Sequence, residues 1–217
     1  MSRTNVYIDG FNLYYAIRRS SYKWLDLSSL CARLLPSSSI QRIYYFTALV
    51  KPLPHDMDAP IRQATYLRAL RTLAKVEIRD EGHFVQWSRW LPKFPLIYDP
   101  AKPNSPPQAV NILKTEEKGS DVNLASFLLK DSFKNYFDEA AVISNDSDLV
   151  TPIEIVIKEC HKPVIVINPH RESYFSRDLL KVASRCYRQI NWSAYKNSQF
   201  PPIMSDSVGT FSKPTSW

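Results

Sequence analysis

The chain has 217 residues, 44% of them hydrophobic, with 28 Lys+Arg against 21 Asp+Glu and a net charge of +7. That size and apolar content support one well-buried domain and exclude a wholly disordered chain, while the basic excess suits a polyanion such as nucleic acid about as well as a plain soluble surface. No run of about eighteen apolar residues could span a membrane, three scattered cysteines (Cys31, Cys160, Cys186) give no disulfide framework, and four glycines leave no glycine-rich phosphate loop to argue from.

The Met-Ser-Arg-Thr-Asn start has no apolar core of the leader-peptide kind, so a cytoplasmic location is expected. Asn5-Val6-Tyr7-Ile8 is β-prone and ends directly at Asp9-Gly10-Phe11-Asn12, the opening expected of a doubly wound α/β fold, whose first strand lies centrally. Asp9 could equally make only a turn. Helical periodicity follows over Asn12–Arg19, with Arg18 and Arg19 at its end, and over Trp24–Leu35, stopped by Pro36. Ile43-Tyr44-Tyr45-Phe46 centres a second strand, Ala59–Leu73 a helix with Ile61, Leu67, Leu70 and Leu73 on one face, and Val76-Glu77-Ile78 a third strand.

His83–Trp90 is aromatic and basic, and the following segment, 92–107, holds six prolines, which suits an irregular loop. Residues 108–114 are expected to pair back on His83–Trp90 as a hairpin arm, whose Trp87 and Trp90 either pack on the body or stack bases. Thr115–Asp121 leads into a helix with Val122, Ala125, Leu128 and Leu129 on one face, which puts Asp121 in the first turn, near the packed side; capping by Ser120 or Asp121 is the plainer account.

Ala140–Ile143 reads as a buried strand that breaks abruptly into Ser144-Asn145-Asp146-Ser147-Asp148. Carboxylates thus follow a strand's C-terminal end for a second time, the edge at which open parallel sheets bind ligands. One such residue suffices to cap the next helix. Two unit charges about 4 Å apart repel by roughly 1–4 kcal/mol, so a cation or a basic group should offset them. A helix follows from Pro152, then the buried strand Val164–Ile167, and a helix over Ser176–Ser184 with Leu179, Leu180 and Ala183 inward. Residues 1–195 are therefore expected as one α/β domain with 83–114 as an arm, and 196–217 as a tail with little order. His55, His83, His161 and His170 show no ligand spacing, so any hard metal falls to oxygen donors.

Three segments together resemble the NYN domain family of PIN-like ribonucleases, also called LabA-like: Tyr7-Ile8-Asp9-Gly10-Phe11-Asn12-Leu13, Lys118-Gly119-Ser120-Asp121-Val122-Asn123-Leu124-Ala125 and Ile143-Ser144-Asn145-Asp146-Ser147-Asp148-Leu149. The resemblance spans about Val6 to Ser184. It implies a PIN-like (Rossmannoid) three-layer sandwich with a mostly parallel sheet and an acidic pocket holding Mg²⁺ or Mn²⁺ for RNA cleavage, with Asp9, Asp121, Asp146 and Asp148 as the carboxylates, Asn12 assisting, and products bearing 5′-phosphate and 3′-hydroxyl ends. Many members have glycine and phenylalanine where this chain has Asn145 and Leu149; asparagine tolerates a left-handed backbone, which would let the loop survive.

On this reading the chain is a metal-dependent endoribonuclease acting on single-stranded or structured RNA. Arg18, Arg19, Lys114 and Lys118 are the rim candidates for phosphate, and Ser144 and Ser147 could donate to phosphate, with capping the plainer job for both. The alternative is a non-catalytic RNA-binding or regulatory module of the same fold. A haloacid-dehalogenase-type phosphatase ranks below both, because Phe11 stands where that chemistry needs a second acid. A homodimer, an antitoxin and an RNA-processing partner are all compatible with these residues, and the sequence does not choose among them.

Overall fold

The computed structural model describes residues 1–102, 104–170, 174–183 and 187–217. The elements run β1 (Arg3–Asp9), α1 (Gly10–Ile17), α2 (Leu27–Leu34), β2 (Ser39–Ala48), α3 (Ala59–Arg71), β3 (Val76–Pro92), β4 (Ala109–Lys118), α4 (Ser120–Phe133), β5 (Glu139–Ile143), a 3₁₀ turn (Ser147–Leu149), α5 (Val150–Lys158), β6 (Val164–Asn168), α6 (Arg177–Val182), β7 (Tyr187–Gln189), α7 (Trp192–Lys196), β8 (Ile203–Asp206) and β9 (Gly209–Ser212).

Among the described residues, seven strands form one sheet in the order β4-β3-β2-β1-β5-β6-β7, parallel throughout except for the β3–β4 pair. The chain winds outward from β1 to β3, then returns through α4 to lay β5 on the other side of β1. The strand order therefore reverses between β1 and β5, and loops after both strands converge there.

Alternation along the strands divides the core into two layers. Val6 and Ile8 face Leu13, Leu30, Tyr45, Leu67 and Leu70, whereas Tyr7 faces Tyr44, Phe46, Leu124, Leu128 and Phe137 on the opposite side. The result is a three-layer α/β sandwich with a mostly parallel sheet, as expected.

The third strand is much longer than Val76–Ile78 suggests. It continues through the arm as a single 17-residue strand, pairing antiparallel with β4 from His83↔Lys118 to Pro92↔Ala109. Past the sheet this ribbon has little to pack on, and Trp90 is 68% exposed instead of buried against the body. Ile61, Val122 and Leu180, placed inward by periodicity, also face solvent. Each lies at one edge of its helix's apolar stripe, where neighbouring Leu67, Leu124 and Leu179 take the buried positions. Ser184 and Cys186 lie outside the described residues.

The expected C-terminal tail is a correction of larger scale. β8 and β9 pair antiparallel, and the segment around them buries Phe200 and Phe211 against the fully buried Trp24. Ring centroids of Phe200, Phe211 and Trp217 lie 5.7, 6.5 and 6.4 Å from that of Trp24. Trp24 Nε1–H donates to the Pro201 carbonyl at 2.8 Å, and Arg68 grips Asp206 through two contacts of 2.7 Å. Polar composition hides this order because a few aromatic anchors carry it.

Candidate metal centre

The site is built where the strand order reverses. Asp9 ends β1 and caps α1: its Oδ1 accepts the Asn12 backbone N–H at 2.9 Å, and its Oδ2 accepts the Ser144 hydroxyl at 2.9 Å. Ser144 follows β5 and in turn accepts the Asp146 N–H at 3.1 Å. One buried hydroxyl thereby fixes the loop after β5 against the end of β1. Asp146 Oδ1 accepts the Asp148 N–H at 3.0 Å and so starts the 3₁₀ turn.

The third carboxylate arrives on α4. Gly119, at φ +104°, turns the chain out of the arm in a left-handed conformation that glycine adopts without penalty. The Ser120 N–H and hydroxyl both donate to Glu117 (3.1 and 2.8 Å), leaving Asp121 uncapped in the first helical turn. Asp9, Asp121 and Asp146 each present an oxygen, and these oxygens lie within 4.8 Å of one another.

Burial, first, and then the neighbouring Asp146 and Glu117 push the Asp9 carboxyl up to about 6, against the two hydrogen bonds that favour its anion. Asp121 is pushed up to about 7, again by burial and then by Asp9, Asp146, Glu117 and Asp148. Among the described residues no Lys or Arg forms an ion pair with any of the three. An all-oxygen donor set carrying uncompensated negative charge fits a hard divalent cation.

Folding the chain without a cation therefore favours protonated Asp9 and Asp121. For an acid whose folded pKa exceeds its unfolded one, the folded state holds the proton more tightly, so stability is greatest at low pH and is lost as pH rises. The window runs from about pH 4 to about pH 7 by the shifts from 3.8 to about 6 and about 7. The nearly buried Asp9 alone corresponds to roughly 3 kcal/mol; the half-exposed Asp121 adds less than its shift suggests because solvent screens it. Chemical denaturation in EDTA should show that loss across pH 4–7, with Mg²⁺ or Mn²⁺ raising the melting temperature more at pH 8 than at pH 5. A flat profile would mean that the carboxylates are not crowded. Asp138 and Asp206, held below the usual range by hydrogen bonds from Arg3 and Arg68, act in the opposite sense and below this window.

Not every expected residue joins the cluster. Asp148 is exposed and lies outside the three-oxygen group, although its charge is felt at Asp121. Asn12 does not face outward: its Oδ1 accepts the Asn145 N–H at 3.1 Å and lies 3.0 Å from His170 Nε2. Ser144 is fully buried with its hydroxyl engaged twice, so the structure corrects its assignment as a phosphate contact, whereas Ser147 is exposed. Arg18 stacks over the Tyr15 ring at 5.2 Å, Arg19 is exposed, and Lys114 and Lys118 both pair with Glu116, the latter at 2.8 Å. Asn145 needs no left-handed backbone; among the described residues the non-glycine ones at positive φ are Asn135 and His161, and Asn145 instead accepts the Ser176 N–H at 2.7 Å.

Glu117 and His170 are the residues that sequence reasoning did not single out. Neither lies in a motif: Glu117 comes from the end of β4 in the arm, and His170 from the loop after β6. Beside the carboxylates, Gly10 and Phe11 also line a cavity of about 370 Å³ between α1, α3, the root of the arm and Trp217.

A family model described as NYN domain matches residues 3–191. Over 99% of its length the chain is 31% identical to a protein named 6-hydroxy-3-succinoylpyridine 3-monooxygenase HspA, from Pseudomonas putida (strain DSM 28022 / S16), covering 75% of that protein. A crystal structure of a protein of unknown function from Vibrio parahaemolyticus RIMD 2210633 superposes with a TM-score of 0.57 at 14% identity, covering 88% of this chain and 94% of that one, a likeness of fold alone. A match over most of its length shows that the chain belongs to the NYN domain family, a PIN-like nuclease family with which its mostly parallel seven-stranded sheet is consistent.

Proposed function

We propose that this protein is a metal-dependent endoribonuclease whose reaction centre is the Asp9, Asp121 and Asp146 cluster. The observation that carries the reading is the convergence of three carboxylates from three separate segments to within 4.8 Å, with no basic partner among the described residues. Mg²⁺ or Mn²⁺ held there would supply charge neutralisation at a scissile phosphodiester and acidify a water for in-line attack.

The chain's own residues have distinct tasks in this scheme. Asp9 and Asp146 are direct donors, and Asp121 completes the set from the helix. The Ser144 hydroxyl positions both strand-end carboxylates, while Asn12 ties α1 to the loop after β5. Asp148 holds or orients water at the exposed side. Arg18, Arg19, Lys114, Lys118 and Ser147 offer the backbone-contacting rim, in keeping with a net charge of +7.

The test is incubation of purified protein with labelled single-stranded and structured RNAs in EDTA, Mg²⁺ or Mn²⁺. Cleavage in either metal and none in EDTA, leaving 5′-phosphate ends, is the expected result. RNA retained in a gel shift but never cut would replace it with a binding module.

The name of the Pseudomonas relative sets a second reading beside this one, hydroxylation of a small heteroaromatic acid, and the aromatic cavity next to Asp9 is the observation that favours it. Its signature would be consumption of a hydroxypyridine carboxylate that requires oxygen and an added reductant.

A further inference from the structure

The cavity holds a feature that the metal cluster does not explain. Tyr45 is only 7% exposed, yet its hydroxyl makes no hydrogen bond among the described residues. Three other buried tyrosines are satisfied: Tyr7 donates to Asp131, Tyr66 to the Leu25 carbonyl and Tyr195 to the Pro169 carbonyl, all at 2.8–2.9 Å, whereas the Tyr187 hydroxyl, away from the cavity lining, is enclosed without a partner. A buried hydroxyl without a partner costs about 1–3 kcal/mol and calls for a reason.

That hydroxyl is not sealed in the core. It is absent from the fully enclosed unpartnered atoms, Tyr45 lines the cavity, and a Cβ placed on Gly10 would come within 2.9 Å of it. Gly10 therefore lets the Tyr45 ring pack directly on the backbone where the chain leaves Asp9, and any side chain there would collide with the ring and its hydroxyl.

The rest of the lining divides by chemistry. Phe11, Tyr66, Phe84 and Trp217 supply aromatic wall, and no Asp or Glu is among the lining residues. Lys23 and Lys51 line it without an ion pair among the described residues; Lys23 Nζ reaches only the carbonyls of Arg18 and Ser216, at 3.3 Å each. The cavity thus offers flat apolar surface, a buried hydroxyl without a partner and two cations outside any ion pair among the described residues, beside an acidic cluster that would repel an anion placed on its own side.

We propose that this cavity binds a planar heteroaromatic ring carrying an anionic group, with the ring's polar edge on the Tyr45 hydroxyl and the anion on the side of Lys23 and Lys51. Two sources share that chemistry: a nucleotide of an RNA chain, and a free heteroaromatic acid. Binding requires no turnover, so the site stands or falls separately from the ribonuclease reading.

Titration calorimetry of the full chain in EDTA, with the four nucleoside 5′-monophosphates in one arm and pyridine-3-carboxylate in the other, tests it. Saturable binding in at least one arm is expected, about two- to tenfold weaker in Tyr45→Phe from the loss of one hydrogen bond, and abolished in Val50→Trp, which fills the cavity. Weaker binding by Lys23→Gln would support the anion's place on that side. Nucleotides alone would identify RNA as the source, and the pyridine acid alone a free metabolite. Tyr45→Phe keeps the ring and the packing, so it decides the matter even if Val50→Trp fails to fold. No binding in either arm, or equal binding by the native chain and Tyr45→Phe, overturns the proposal.

Discussion

Replacing Asp146 with asparagine should leave a folded protein that cleaves RNA at less than about one hundredth of the native rate. Changes in residues that merely support a metal's ligands typically cost about 10–100-fold in affinity or activity, so removing a direct donor should cost more. The fold should survive because Asp146 is only half-buried and its structural duty is to accept the Asp148 N–H through Oδ1. An asparagine carbonyl accepts that bond equally well. What disappears is the charge facing Asp9 and Asp121. Two readouts should therefore move in opposite directions: in EDTA the variant melts above the native protein, because repulsion is relieved, while the stabilisation conferred by Mg²⁺ or Mn²⁺ largely vanishes. Asp148→Asn, outside the three-oxygen group, should lose less activity and keep the metal response. Native-like cleavage by Asp146→Asn would place the reaction elsewhere.

The strand-end carboxylates are legible from sequence for a definite reason. Asp9 and Asp146 each follow a short apolar run, and a parallel sheet sends both C-terminal ends to the same edge. Asp121 is legible only from its place in an amphipathic first turn together with the family motif. Glu117 is not, because it reaches the cluster through an arm whose length no local pattern reveals, a single strand running from Val76 to Pro92. His170 lies beyond β6 in a loop whose path depends on Asn168, which accepts the His170 N–H at 2.8 Å. Tyr45 is the sharpest case. In the sequence it is one β-prone aromatic among Ile43, Tyr44 and Phe46, and a buried strand explains all four alike. Only the packing of α1 and α3 decides that its hydroxyl opens on a cavity while that of Tyr66 finds a carbonyl.

The C-terminal segment yields the other large effect. Phe200→Ala should destabilise the protein by about 3–5 kcal/mol, the range for deleting a buried phenylalanine ring where the surroundings cannot collapse into the gap. Collapse is hindered here because Phe200 is held by its backbone as well: its N–H donates to the Trp24 carbonyl at 2.9 Å, and the Asp26 N–H donates to the Ser198 carbonyl at 2.8 Å. Trp24 in turn needs this segment, since the Pro201 carbonyl is the acceptor for its indole N–H. A truncation after Asn197 should accordingly expose Trp24, leave its indole unpaired and remove Trp217 from the cavity wall, so that a cavity ligand is lost together with stability. Ile203→Ala, on the exposed face of the hairpin, serves as the control and should change stability by no more than about 0.5 kcal/mol. Denaturant titration separates the cases: a lower midpoint with an unchanged slope for Phe200→Ala marks lost packing. Identical midpoints for Phe200→Ala, Ile203→Ala and the native chain would mean that residues beyond Asn197 hang free of the core, as their polar composition alone suggests.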